Sequence, residues 1–245
     1  MIKLQLLRNA TQILHINNKK VLIDPLLAPK HTYDSIPQTG NNLRNPLVDL
    51  PIDIEEVISQ TDAVLLTHIH QDHWDITAQE LLPKDILLFC QPANVDTIRK
   101  QGFINVQEID DEIIWNGAKI SRTSGKHGTG EIGQRMGTVS GYVINDGKES
   151  LYIAGDTIWC PEVKAAIDKY NPGHIVVNGG AARFITGDSI VMDIKDIITV
   201  CDYTPSAKIY VVHLEAVNHS TESRQKIKEA IKRCIVPDDG EIFIY

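Results

Sequence analysis

The sequence predicts an α+β fold, a four-layered αβ/βα sandwich in which two mixed β-sheets pack face to face and helices cover both outer faces. Hairpin-like β runs crowd the chain before Asp24, and β runs and helical patterns then alternate to the carboxyl end. The 245 residues suffice for one large core, and no Pro/Gly/Ser-rich linker divides them, so a single domain over residues 1–245 is expected.

The first strands are the apolar runs Ile2–Leu7, Gln12–Ile16 and Lys20–Ile23. From Leu27 to Pro51 the chain is rich in Pro, Asn, Thr and Asp and has no period. An irregular segment of that length is usually functional or mobile, so residues 27–51 are expected beside the site as a lid or substrate wall. Short helical patterns at Ile54–Ser59, Ile76–Leu82 and Val95–Gln101 alternate with β runs at Ala63–Thr67 and Ile86–Cys90. Further β runs follow at Lys119–Thr123, Val139–Ile144 and Ser150–Ala154. After Pro161, a good first-turn residue, Val163, Ala166, Ile167 and Tyr170 recur at helical spacing. Strand Ile175–Asn178 precedes a helix expected from near Ser189, whose stripe of Ile190, Ile194, Ile197, Ile198 and Cys201 is stopped by Pro205. Strand Lys208–Val212, a helix over Glu222–Cys234 with Ser220 or Thr221 as its N-cap, and strand Ile242–Tyr245 complete the order.

Hydrophobic residues make up 42% of the chain and charged residues 23%, ordinary values for a globular protein. The segment Met1–Asn9 lacks the long apolar core and cleavage site of a secretory signal, and no run approaches the roughly 20 apolar residues of a membrane span. Cys90, Cys160, Cys201 and Cys234 are scattered, which implies neither a disulfide framework nor a thiolate metal knuckle and fits a reducing cytoplasm. The net charge of −8 argues against broad binding of a phosphate backbone, so nucleic acid is disfavoured as a partner. Homo-oligomer formation stays open.

Directly after the apolar run Ala63–Thr67 stands His68-Ile69-His70-Gln71-Asp72-His73. Neutral imidazole and carboxylate suit zinc, manganese or iron. In extended chain, residues two apart point the same way, so His68 and His70 can grip one ion. Past the next turn, Asp72 and His73 can face a second ion, about 3.5–4 Å from the first as in two-metal enzymes generally. The bland alternative is a polar loop with chance histidines, which four potential ligands in six positions make improbable.

Remaining ligands are sought where strands end. His127 lies in the glycine-rich Ser124–Gly130, Asp156 in Gly155-Asp156-Thr157 after a strand, and His213 at the end of Ile209–Val212. Each alone is as readily a structural or surface polar residue. A carboxylate placed like Asp156 can bridge two cations with its two oxygens. His213, at the strand end, is favoured over His219 as the last ligand; His219, later and beside a predicted helix start, is otherwise a substrate contact or a surface histidine. His15, His31 and His174 lack comparable settings, although His31 lies in the expected lid.

With these residues in this order, the chain resembles the metallo-β-lactamase superfamily over nearly its whole length. That family's HxHxDH motif matches His68–His73, and its later His, Asp and final His match His127, Asp156 and His213. The resemblance implies two divalent cations, zinc first with manganese or iron as alternatives. His68, His70 and His127 would hold one, and Asp72, His73 and His213 the other, with Asp156 bridging. Val21-Leu22-Ile23-Asp24-Pro25 resembles the family's early structural motif and makes Asp24 an orienting residue behind the ligands. Chain length and motifs look most like the compact branch that includes ascorbate-phosphate lactonase-like proteins.

The activity implied is hydrolysis. Two cations sharing a water lower its pKa from about 15.7 toward about 7, giving a hydroxide that attacks a small-molecule ester, lactone, amide or phosphoester. Asp72 is the expected catalytic residue, orienting that hydroxide and moving a proton to the leaving group. Trp74, Trp159 and Phe184 are candidate pocket walls against an alternative role in the core. Lys126, Arg135 and Arg183 are candidate contacts for an anionic substrate group, against an alternative of solvated surface charge. The Asn178–Ala182 segment offers either a donor-rich wall or a tight turn. Two rivals remain: a tRNA-processing-type nuclease, which salt-dependent RNA binding would reveal, and a metal-bound sensing module that binds ligand without turnover.

Overall fold

The structure, a computed structural model, describes residues 2–244, so Tyr245 at the end of the last expected strand lies outside the described residues. Strands β1 (Lys3–Arg8), β2 (Thr11–Ile16) and β3 (Lys19–Ile23) form an antiparallel meander. Parallel strands β4 (Ala63–Leu65), β5 (Leu87–Cys90) and β6 (Val106–Glu108) extend it on one side. In the second sheet, β7 (Glu112–Trp115), β8 (Ala118–Ser124), β9 (Ser140–Asn145) and β10 (Ser150–Ile153) run antiparallel. Strands β11 (His174–Asn178) and β12 (Lys208–Val212) add in parallel. Strand β13 (Ile242–Ile244) returns to β1, giving a seven-stranded sheet of order β13-β1-β2-β3-β4-β5-β6 against a six-stranded sheet of order β12-β11-β10-β9-β8-β7.

Alternation along the strands divides the core. Leu4, Leu14, Val21, Leu65 and Phe89 of the first sheet meet Ile120, Tyr142, Ile153, Val176 and Val212 of the second in the central layer. Leu7, Ile13, Leu22, Val64 and Leu88 point outward onto α1 (Ile54–Ser59), α2 (Ile76–Leu81) and α3 (Val95–Lys100), through Val57, Ala78 and Ile98. Ile175, Val177, Ile209 and Val211 meet Val163, Ile197, Val200 and Ile227 on the opposite outer face. The helices there are α5 (Pro161–Tyr170), α6 (Ile194–Tyr203) and α7 (Arg224–Ala230); α4 (Gly130–Met136) lies apart and buries none of its residues. Strands covered on both faces read as unbroken apolar runs, and each such side chain contributes roughly 1.5–3 kcal/mol by leaving water. Two mixed sheets between helical layers are the predicted class.

Several boundaries differ from the sequence reading. The helix expected from near Ser189 starts at Ile194, because Asp193 caps it by accepting the Asp196 N–H at 3.0 Å, and Ile190 packs instead with Ala182 and Val191. The last helix covers only Arg224–Ala230, and its N-cap is Ser223, whose hydroxyl accepts from the Lys226 N–H; neither Ser220 nor Thr221 plays that part. Strand β4 stops at Leu65, which leaves Thr67–His70 in irregular chain. Strands β6 and β7 escaped notice because they are short and weakly amphipathic: Ile114 is 81% exposed. Helix α4 occupies part of the glycine-rich stretch and is bounded by Gly130 and Gly137, both at positive φ.

Candidate metal centre

The candidate ligands stand on loops that leave carboxyl ends of strands, the usual place for a site in such sheets. Asp24 follows β3, His68–His73 follow β4, His127 follows β8, Asp156 follows β10 and His213 follows β12. In the first loop the N–H groups of His73 and Trp74 both donate to the His70 carbonyl, at 2.9 Å each. That turn swings Asp72 and His73 away from the His68–His70 pair. Gly155 takes φ +70° at the bend before Asp156. A Cβ on Gly180 would lie 2.3 Å from the His213 carbonyl oxygen, so only glycine lets the two loops close.

Two clusters result: His68, His70 and His127, and Asp72, His73, Asp156 and His213, with all ligand atoms of each cluster within 4.8 Å of one another. His68 Nε2 lies 3.0 Å from His70 Nδ1, and His127 Nε2 lies 3.3 Å from the same atom. Asp156 Oδ2 is 3.2 Å from His73 Nε2 and 3.5 Å from His127 Nε2, and so faces both clusters. His213 Nε2 is 3.2 Å from Asp72 Oδ2 and 3.7 Å from Asp156 Oδ1.

Hydrogen bonding behind the rings fixes which nitrogen faces inward. The Thr67 hydroxyl donates to Asp24 Oδ2 at 2.6 Å, so at 3.1 Å it accepts from His68 Nδ1 and leaves His68 Nε2 with a bare lone pair. His73 Nδ1 donates to Asp24 Oδ2 at 2.8 Å, and His127 Nδ1 donates to the Ile190 carbonyl at 2.7 Å. Lone pairs of His68, His73 and His127 therefore converge on the carboxylates, and His73 Nε2 is buried with no hydrogen-bond partner among the described residues. Converging lone pairs repel unless a cation lies between them. An ion held tetrahedrally at 2.0–2.1 Å sets its ligands about 3.3–3.4 Å apart, close to the separations found. The residues fit two divalent cations.

Electrostatics favour the ligand form at His68, His127 and both carboxylates, whereas His73 holds a proton that a cation would displace. Burial pushes the His68 and His127 imidazoles down, toward the neutral form a ligand needs. Burial alone would raise Asp72 and Asp156, but His73 and His213 outweigh it and hold both carboxylates well below their ordinary range. Burial would likewise lower His73, yet Asp156, Asp72 and Asp24 hold it well above its ordinary value.

Further contacts come from Asn9 and Thr67, which were not singled out, and from Asn178, which was read only as the start of a donor-rich segment or turn. The Asn178 amide donates to Asp156 Oδ1 at 2.6 Å. Asn9, at φ +51°, donates through Nδ2 to the Asp72 carbonyl and accepts the His213 N–H, both at 2.9 Å. Thr67 links Asp24 to His68. None carries a sequence signal beyond position, Thr67 beside the motif and Asn9 in a two-strand turn.

Over the centre lies a cavity of about 210 Å³ lined by Ile36, Met136, Phe184 and Ile190 together with His70, Gln71, Asp72, His127, Asp156 and His219. His219 is thus a buried wall residue, its ring centroid 6.3 Å from that of His213, and burial lowers its pKa to about 4. Five expected wall or contact residues lie outside this lining. Trp74 is buried in the outer layer of the first sheet, where its indole N–H donates to Gln101 at 2.8 Å and its ring meets Phe103, so it reaches no substrate. Trp159 packs against Tyr203 on the far side of the second sheet. Lys126 is half exposed and 3.5 Å from Glu162, and Arg183 is bonded to Ser189, so neither lines the cavity; Arg135 lies over the Phe184 ring, 5.9 Å from its centroid, and is not part of the lining either. The Gly179–Gly180 stretch is a packing turn, since the Gly179 N–H donates to Val212 and the Gly180 carbonyl accepts from Thr221 and Glu222.

The family model described as the beta-lactamase superfamily domain matches residues 19–214. With that match and this architecture, the chain belongs to the metallo-β-lactamase superfamily. Within it the chain falls in the UPF0173 group, being 41% identical to the UPF0173 protein YddR of Bacillus subtilis, with 98% of each chain covered. A possible metal-dependent hydrolase from Veillonella parvula is 37% identical with a TM-score of 0.95, covering 99% of both chains. An isothiocyanate hydrolase from Delia radicum gut bacteria is 34% identical with a TM-score of 0.94, again over 99% of both. Relatives named as a UPF0173 metal-dependent hydrolase and an isothiocyanate hydrolase thus place the chain among metal-dependent hydrolases of this superfamily. Among the described residues no helix is long and apolar enough to cross a membrane.

Proposed function

We propose that the protein is a binuclear metal-dependent hydrolase acting on a small, uncharged carbon electrophile with a compact apolar group. The observation that carries this reading is Asp156, whose carboxylate faces both ligand clusters at the floor of an apolar-walled cavity. His68, His70 and His127 would hold one cation and Asp72, His73 and His213 the other, with Asp156 between them. Bound there, two divalent cations, zinc foremost, supply a hydroxide at neutral pH by lowering the pKa of a shared water.

The chain's own residues do the rest. Asp72, 9% exposed and lining the cavity, accepts a proton as attack begins and returns it to the leaving atom. Asp24 and Asn178 hold His73 and Asp156 in place from behind. Ile36, Met136, Phe184 and Ile190 exclude water and receive the substrate's apolar part. His219, neutral at physiological pH, is placed to donate to a developing negative charge.

The absence of Lys and Arg from the lining favours an isothiocyanate, ester or lactone over a phosphodiester. Likeness to an isothiocyanate hydrolase over 99% of both chains makes that class the first to test. A small cavity and a net charge of −8 also weigh against the nuclease reading. A reducing, cytoplasmic setting is part of the proposal and accords with Cys90, Cys160, Cys201 and Cys234 all being free.

The test is elemental analysis of zinc-reconstituted protein, followed by assay of benzyl isothiocyanate, a γ-lactone, 4-nitrophenyl acetate and bis-4-nitrophenyl phosphate. About two ions per chain and chelator-sensitive turnover of at least one carbon electrophile are expected. Two ions without turnover of any of them would favour a sensing module.

A further inference from the structure

Residues 27–51 pass over the site and give the cavity its Ile36 wall. An irregular segment of that length would ordinarily be loose, but this one is anchored at several points, and one side chain gathers the stretch from Ile36 to Asn45. Asn218 is 3% exposed and spends every polar group on the segment. Its Oδ1 accepts from the Ile36 N–H at 2.9 Å and from Asn45 Nδ2 at 2.8 Å. Its Nδ2 donates to the Thr39 hydroxyl at 2.6 Å, with the Ile36 and Asn41 carbonyls each at 3.3 Å. Its own N–H donates to Asn45 Oδ1 at 2.8 Å, and its carbonyl accepts from Asn41 Nδ2 at 2.9 Å. The far ends of the segment are held separately by Arg8, fully buried, whose guanidinium donates to the carbonyls of Leu26, Ala28 and Val48.

Asn218 is also the residue before His219, which forms another part of the cavity wall. One amide thus fixes Ile36 and the His219 backbone relative to each other. We propose that Asn218 is a positioning residue that sets the width of the substrate cavity, so that residues 27–51 act as a fixed wall that selects short apolar substrates. The proposal rests on the hydrolase reading above for what the cavity admits, but the latch itself does not.

An amide is required chemically. Asp in its place would keep the acceptor for Ile36 and Asn45 but lose both amide protons, and with them the donation to the Thr39 hydroxyl and toward the Ile36 and Asn41 carbonyls, and Ala would lose all of the side-chain bonds. With them gone, the Ile36 N–H loses its partner. The segment stays anchored nearby through the Gln38 carbonyl, which accepts from the Ile185 N–H at 2.8 Å, and through the Leu47 N–H, which donates to the Ala216 carbonyl at 2.8 Å. The cavity then widens locally at Ile36 at the cost of precise placement.

The experiment compares zinc-loaded wild type with Asn218→Ala on 4-nitrophenyl acetate, butyrate and octanoate, alongside metal content and amide hydrogen exchange. In the variant, KM for acetate should rise roughly tenfold and preference should move toward octanoate, while kcat for acetate stays within about threefold and two ions are retained. Exchange at the Ile36 amide should accelerate by about a hundredfold or more. An unchanged chain-length preference in a folded, two-ion variant overturns the proposal. If wild type turns over no ester, the exchange measurement decides alone, and unchanged Ile36 protection overturns the latch. If Asn218→Ala does not fold, Ile36→Ala must produce the same shift toward octanoate, and an unshifted preference there counts against it equally.

Discussion

His73 Nδ1 and Asp24 Oδ2 meet at 2.8 Å, and this buried contact decides how the second cluster is presented. Asp24 also accepts from the Thr67 N–H at 2.8 Å and the Thr67 hydroxyl at 2.6 Å, so one carboxylate orients His73 directly and His68 through Thr67. With its Nδ1 proton committed, His73 offers only Nε2 toward Asp156 and Asp72.

Replacing Asp24 with Ala should therefore weaken metal binding by about 10–100-fold without touching a ligand. Zinc competition against a chromophoric chelator measures it, and an unchanged affinity would show that His73 is oriented by packing alone.

Asp156→Ala should reduce the metal content to one ion or none and remove essentially all hydrolysis, and His70→Ala should also lose at least one ion. Elemental analysis of each purified variant is the check; two ions and a full rate in either one contradicts the assignment.

Burial lowers His219 from 6.5 to about 4. Between those values the unfolded chain binds a proton that the folded chain refuses, so this group's contribution to stability is intact above about 6.5 and is lost as pH falls toward about 4. At about 1.36 kcal/mol per unit the loss totals roughly 3 kcal/mol. Urea unfolding of chelated protein at pH 7 and pH 4.5 should show a steeper fall for wild type than for His219→Phe. An NMR titration of His219 with a midpoint near 6.5 would refute the shift.

Trp74→Ala should cost about 3–5 kcal/mol of stability by leaving a void against Phe103, while kcat in the folded fraction stays near wild type. Denaturant unfolding and steady-state rates separate the two effects. A selective change in KM with normal stability would return Trp74 to the substrate wall.

The motif His68–His73 was legible because its chemistry is local: four potential ligands in six positions need no knowledge of the fold. His127, Asp156 and His213 were legible only as strand ends, and the order in which they occur carried the assignment. Asn9 and Asn218 were not legible, and Asn178 only as part of a backbone segment, since each side chain acts on residues distant in sequence; Asn218 meets Ile36 across 182 positions. Lys126 and Trp74 misled for a related reason. Adjacency to a motif residue says little about side-chain direction, and Trp74 leaves the turn toward the opposite face of the sheet from His73. Helix ends were misread where a cap lay inside the expected run, as Asp193 does before Ile194.

Asp72 and His213 lie 141 residues apart and leave different sheets, yet they face each other at 3.2 Å. Ions seated here would cross-link the two halves of the sandwich, and neither half alone contains a complete ligand set. Loading thus reports that both sheets have docked, and a nascent chain cannot close the centre until β12 is in place. Because the unfolded chain lacks the site, free metal at about a thousand times its dissociation constant would add roughly 4 kcal/mol to the folded state. Metal supply would then govern how long the protein survives in a cell as well as how fast it works.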